Sequence, residues 1–174
     1  MAAFMKELVK RDATVARMMQ FIILTAARSG ETRFSTWDEI DFEARTWTVP
    51  AKRMKMAKEH TVPLSDRAYN ILLHMDAHRF GDYIFSHPSS GKAFSVNATI
   101  MLIRRLDFGK LTTHGFRSTF RDWAGDKTMH QRETIEAALA HSLKDRAEAA
   151  YRRSSALEKR RTLMQDWANY CYGI

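Results

Sequence analysis

The chain has 174 residues, with 28 Lys or Arg against 20 Asp or Glu, a formal net charge of +8. That length suits one domain that buries its own core without disulfides or metal, and the excess of cations favours a polyanionic partner, nucleic acid ahead of acidic metabolites. No apolar run approaches the roughly 20 residues of a helical membrane span, so no membrane partner is expected; the single cysteine, Cys171, with no signal peptide ahead of it, agrees with a reduced, cytoplasmic setting.

In chain order, Val15, Met18, Met19, Ile22, Ile23 and Ala26 are spaced for a largely buried helix. Its expected end is Arg28-Ser29-Gly30, where glycine can terminate a helix. Aromatic and β-branched residues follow: Trp37, Ile40 and Phe42, then Thr46 to Val49, then His60 to Leu64. They read as three short antiparallel strands, joined by a turn at Glu43-Ala44-Arg45 and by the basic stretch Lys52 to Lys58. Lys55 then lies on a hairpin tip.

Ser65 is placed to cap a helix through Arg79 with Ala68, Ile71, Leu72 and Met75 inward. His87 to Gly91 is a loop by composition. Helices are expected over 95–106, 114–125, 131–140 and 145–153, and a last one opens with the capping-box pattern Ser155 to Glu158. The fold class expected is α+β, a mainly helical domain with a small three-stranded antiparallel sheet in the N-terminal third.

Several polar residues scattered over this framework suit one chemistry. Cutting a phosphodiester without metal needs cations on the non-bridging oxygens, a nucleophile, and a proton donor for the leaving oxygen. Arg28, Lys55, His114, Arg117, His141 and Tyr151 can supply all three. Each also has an ordinary reading. Arg28 can complement a helix dipole, and the hairpin cations can form a solvated basic tip. His114 and Arg117, three apart, can be a capping histidine and a surface arginine, or two groups that share one helix face and reach one phosphate. His141 can be a satisfied buried histidine. Tyr151 is one of five tyrosines, most of which serve as core or rim residues; it is set apart by the small residues Ala147, Ala149 and Ala150 before it and by Arg152 and Arg153 after it. His74 and His78 stand four apart on a helix, yet no cysteine or third ligand converges on them, and no metal or cofactor is expected.

The strings carrying these residues, Ala27-Arg28-Ser29-Gly30-Glu31, His114-Gly115-Phe116-Arg117, Leu139-Ala140-His141 and Ala150-Tyr151-Arg152-Arg153, together resemble the catalytic domain of the tyrosine recombinases, in the phage-integrase branch. The resemblance implies that Tyr151, ten residues after His141, attacks the scissile phosphate and forms a 3′-phosphotyrosine. It implies that Arg28, His114 and Arg117 neutralise the phosphate and that His141 supports it. Lys55, with Lys58 as the alternative, would protonate the leaving 5′-oxygen, and Glu31 would orient one of the cations.

The partners implied are double-stranded DNA and other integrase protomers in a synaptic tetramer on it, in the integration or excision of a phage or genomic island. Residues 1–11 are expected to be the end of a linker and 12–174 the catalytic domain. The core-binding and arm-binding domains of the family are expected to be absent, so that the chain is a fragment or truncated product. Two other readings stay open: a type IB topoisomerase that only relaxes supercoils, and a non-catalytic DNA-binding module.

Overall fold

The computed structural model describes residues 1–141 and 153–174. At its centre is α2 (Thr14–Thr25), whose Met18, Met19, Phe21, Ile22, Ile23 and Leu24 are all buried. A helix apolar on every side needs neighbours on every side. They are α1 (Ala2–Val9), α4 (Asp66–Ala77), α5 (Asn97–Arg105) and α8 (Arg153–Tyr172). The remaining helices are the single-turn α3 (Ser29–Arg33), α6 (Gly115–Lys127) and α7 (Arg132–Ala138). The sheet holds β1 (Ile40–Asp41), β2 (Thr46–Val49) and β3 (His60–Pro63), antiparallel in the order β1-β2-β3. Ile40 pairs with Trp47, and Val49 with His60. The α+β class, the three strands and their order are those the sequence implied.

Residues 1–11, expected as linker, carry α1 instead. Its Phe4, Met5 and Leu8 are buried, and the Phe4 ring lies 5.1 Å from Phe108 and 5.2 Å from Phe116. Each such side chain removed from water is worth about 1.5–3 kcal/mol of transfer free energy, so this helix is part of the core.

At the other end, Leu163, Met164 and Trp167 of α8 are buried against their own domain. The Trp167 ring packs on Phe120 and Trp123 at 5.3 and 5.1 Å, and its indole nitrogen donates to the Ile23 carbonyl at 2.7 Å. The capping-box pattern at Ser155 falls inside α8, which already runs from Arg153. Trp37, expected in a strand, sits in a 3₁₀ turn (Trp37–Glu39). Helix α4 has the expected Ser65 cap, whose hydroxyl accepts from the Ala68 amide, and ends at Ala77. Of the expected helix over 145–153, residues 145–152 lie outside the described residues.

One boundary bears on the site. Helix α2 stops at Ala26, in the left-handed region at φ 49°, and not at Gly30, which lies inside α3. Left-handed alanine costs about 1–2 kcal/mol. Here tertiary partners hold it: the Ile23 carbonyl, which accepts the Ala26 N–H, also accepts from the Trp167 indole, and the Ala26 carbonyl accepts from Arg117. Arg28 is therefore the N-cap of α3, not the C-terminal cation of α2.

Candidate active site

Arg117, buried in the first turn of α6, joins two helix ends. One guanidinium nitrogen donates to the Ala26 carbonyl at the end of α2, and Nη2 donates to the Leu139 carbonyl at the end of α7, at 2.8 Å. Carbonyls at a helix C-terminus lack intrahelical donors and carry the negative end of the dipole, so a cation is the fitting partner. Two of the five guanidinium N–H groups are used this way. Burial, and then the positive charge of Arg28, push Arg117 down to about 10. It still carries its charge at neutral pH.

Arg28 is fixed from another side. Its Nη1 donates to Glu31 Oε1 at 2.6 Å, and its backbone N–H donates to Glu31 Oε2 at 2.8 Å. Glu31 is buried, so the carboxylate that holds Arg28 is shielded from water and its hydrogen bonds are of the stronger, charge-assisted kind. Two like charges are thus held near one another by separate anchors, and the charge of Arg28 bears on Arg117.

Helix α7 ends in a Schellman turn. Ala140 is left-handed at φ 52°, its N–H bonds the Ala137 carbonyl, and the His141 N–H bonds the Glu136 carbonyl at 3.0 Å. The turn sets the His141 ring against Glu136, with Nδ1 2.5 Å from Oε2, while Arg121 donates to the other carboxylate oxygen at 2.9 Å. A carboxylate at Nδ1 holds the ring proton there and turns Nε2 outward. Burial pushes against ionisation of Glu136, but His141 and Arg121 outweigh it and hold the carboxyl below its ordinary value.

His114 is the exposed N-cap residue of α6, one turn ahead of Arg117; its side chain makes no capping bond. The cap is supplied by Thr112, whose hydroxyl accepts from the Gly115 amide at 3.0 Å. Lys55 and Lys58 are both exposed on the β2–β3 hairpin. Arg28, Glu31 and Arg117 thus come together at the ends of α2 and α7, with His141 two residues beyond the Leu139 carbonyl. Lys55 stands exposed on the hairpin, and His114 stands exposed at the start of α6. Tyr151 lies outside the described residues.

Three residues escape a reading of the sequence. His60 on β3 neighbours Arg160, Glu31, Ala138 and Arg117; burial, and next the Arg160 charge, push it down to about 4, so it is neutral at pH 7. Arg160 on α8 donates to the Thr61 carbonyl at 2.7 Å and ties that helix to β3 beside His60. Glu136 is five residues before His141, a spacing no regular helix brings face to face; only the Schellman turn does. For His60 the available signal was its place as the first residue of the strand His60-Thr61-Val62-Pro63.

The fold is that of a mainly helical domain with a three-stranded sheet, and it presents two anchored arginines with a histidine nearby. The chain belongs to the phage integrase family, whose model matches residues 1–158. It is 41% identical over 150 residues to prophage integrase IntA of Escherichia coli (strain K12), covering 84% of this chain and 36% of that protein. It is 36% identical over 167 residues to the integrase of Enterobacteria phage P4, covering 85% and 38%. The chain therefore spans well under half the length of these relatives. Among solved structures, the fold matches that of the Tn1549 transposon integrase in complex with a circular intermediate DNA. The TM-score is 0.65 at 14% identity, over 87% of this chain and 62% of that one.

Proposed function

We propose that this chain carries the strand-cleaving and rejoining chemistry of a site-specific DNA recombinase acting on double-stranded DNA, for the integration or excision of a mobile element. The observation that carries the reading is the pairing of Arg28 and Arg117, each held by its own buried partners and close enough for one charge to bear on the other.

A scissile phosphate seated on both guanidinium groups has its non-bridging oxygens neutralised before any bond changes, which is electrostatic preorganisation. His141, fixed by Glu136, and His114 add donors. The Tyr151 hydroxyl gives up its proton to water as its oxygen attacks phosphorus, giving a 3′-phosphotyrosine, and the bond to the 5′-oxygen breaks. Lys55 gives that oxygen its proton and leaves a 5′-hydroxyl. Attack by a 5′-hydroxyl on the phosphotyrosine reverses the steps, so the bond energy is kept without ATP. Other protomers assembled on DNA, in a synaptic tetramer, supply the partner strands, in a cytoplasmic, DNA-associated setting.

The test is a nicked suicide duplex incubated with the 174-residue chain. A covalent protein–DNA adduct is expected with the parent and none with Tyr151→Phe, while non-covalent binding stays close to the parent's. An adduct formed equally well by the Phe chain would put the nucleophile elsewhere.

A further inference from the structure

The basic hairpin between β2 and β3 contains Lys52, Arg53, Lys55 and Lys58, and its cations look alike in the sequence. In the structure one of them faces inward. The Arg53 side chain is only 16% exposed and is paired with the Glu39 carboxylate, itself 7% exposed. A second nitrogen of Arg53 donates to the backbone carbonyl of Glu31 at 2.6 Å. Glu39 is held in turn by the Trp47 indole at 3.0 Å and the Thr36 hydroxyl at 3.2 Å. The two groups bonded to this guanidinium thus belong to α3 and to the 3₁₀ turn ahead of β1.

Glu31 is consequently gripped on two sides. Its carboxylate holds Arg28, and its carbonyl is held by Arg53, two residues before Lys55. Between Arg53 and Lys55, Met54 is buried and its carbonyl accepts from the Ala57 amide at 2.9 Å. Lys55 therefore sits in a short turn whose root is bolted to the helix bearing Arg28.

We infer that Arg53 is a positioning residue for the reaction: through Glu31 and Glu39 it sets where the hairpin holds Lys55 relative to the Arg28 phosphate seat. This rests on the general-acid role given to Lys55 above. The reason it matters is geometric. Proton transfer needs the donor within hydrogen-bond reach of the leaving oxygen, and a displacement of about 1 Å can cost on the order of a hundredfold in rate. Lysine cannot replace arginine here, since a single ammonium cannot span both a carboxylate and a carbonyl in a fork.

Two readouts test it on the 174-residue chain. In the first, native protein is digested with a lysine-specific protease. Cleavage after Lys55 and Lys58 should quicken about tenfold in Arg53→Ala and in the milder Glu39→Gln relative to the parent, with other sites unchanged, as opening of one local unit requires. This readout needs no catalysis, and unchanged hairpin cleavage in both variants would overturn the inference. In the second, adduct formation is timed on ordinary suicide DNA and on DNA whose bridging 5′-oxygen is sulfur, a leaving group that needs no proton. Arg53→Ala should be slowed on the order of tenfold to a hundredfold on the oxygen substrate and return to within about threefold of the parent on the sulfur one, as Lys55→Ala should. Rescue of Lys55→Ala without rescue of Arg53→Ala would overturn the inference alone. Failure of rescue in Lys55→Ala would overturn the general-acid role itself.

Discussion

Arg117 Nη2 donates to the carbonyl oxygen of Leu139 at 2.8 Å, across 22 residues of chain. With the second bond, to Ala26, this contact makes one guanidinium the lock between two helix ends. The proposed reaction puts the same side chain on the phosphate, which sets the first expectation.

Arg117→Ala takes from the Ala26 and Leu139 carbonyls their side-chain donor among the described residues, and should cost about 2–4 kcal/mol of unfolding free energy. Arg117→Lys should fall between that variant and the parent, because an ammonium reaches one carbonyl well but not two. Urea denaturation of the three chains measures both. Equal midpoints for Arg117→Ala and the parent would remove the lock from the account.

His60 should make the fold sensitive to acid above the carboxylate range. Its folded value is about 4 against an ordinary 6.5, so between these values the unfolded chain binds a proton that the folded chain does not. Stability is complete above about pH 6.5 and is lost as pH falls from there to about 4, by about 2–3 kcal/mol from this residue. His60→Asn should flatten the stability profile across that window. Urea midpoints at pH 7 and pH 5 decide it, and parallel profiles for parent and variant would count against a half-buried histidine held neutral.

Glu136→Gln should slow cleavage more than it weakens DNA binding, since Glu136 acts by turning the His141 ring rather than by touching phosphate. The carboxyl is held below its ordinary 4.5, so the contact is intact above that value and lost as pH falls below it. Single-turnover adduct formation beside equilibrium binding separates the two effects. An equal loss in both would make Glu136 a binding residue.

Cleavage should proceed undiminished in EDTA. The cations on the phosphate are then the side chains of Arg28 and Arg117, anchored by Glu31, Ala26 and Leu139, and no step calls for a metal-activated water. Activity that vanishes in chelator and returns with added Mg²⁺ would contradict this chemistry.

Cys171, the one cysteine, is fully buried on α8, and burial pushes its thiol well above the ordinary range. A thiol reagent should find no reactive group in the native protein at pH 8 and one group per chain in denaturant. Rapid labelling without denaturant would mean that α8 leaves its place against α1 and α2.

Much of this molecule is written locally. The apolar periodicity of residues 15–26 and the alternation around Trp47 are short-range patterns that follow from 3.6-residue and two-residue geometry, and the Ser65 cap follows from helix-end chemistry. Those patterns carried the α+β class and the three strands, while the ordered strings around Arg28, Arg117 and His141 carried the resemblance to the family. What tertiary structure alone decided are matters of distant partners. The end of α2 at Ala26 instead of Gly30 depends on Arg117 and Trp167, 91 and 144 residues away from the carbonyls they bond. The inclusion of α1 in the core depends on Phe108 and Phe116. Arg53 and Lys55 are indistinguishable as neighbours in a basic run, and only Glu39 and Glu31, brought alongside by the sheet, turn one inward and leave the other exposed. A sequence states which charges exist; which of them are desolvated, paired or free to meet a phosphate is set by what the fold places beside them.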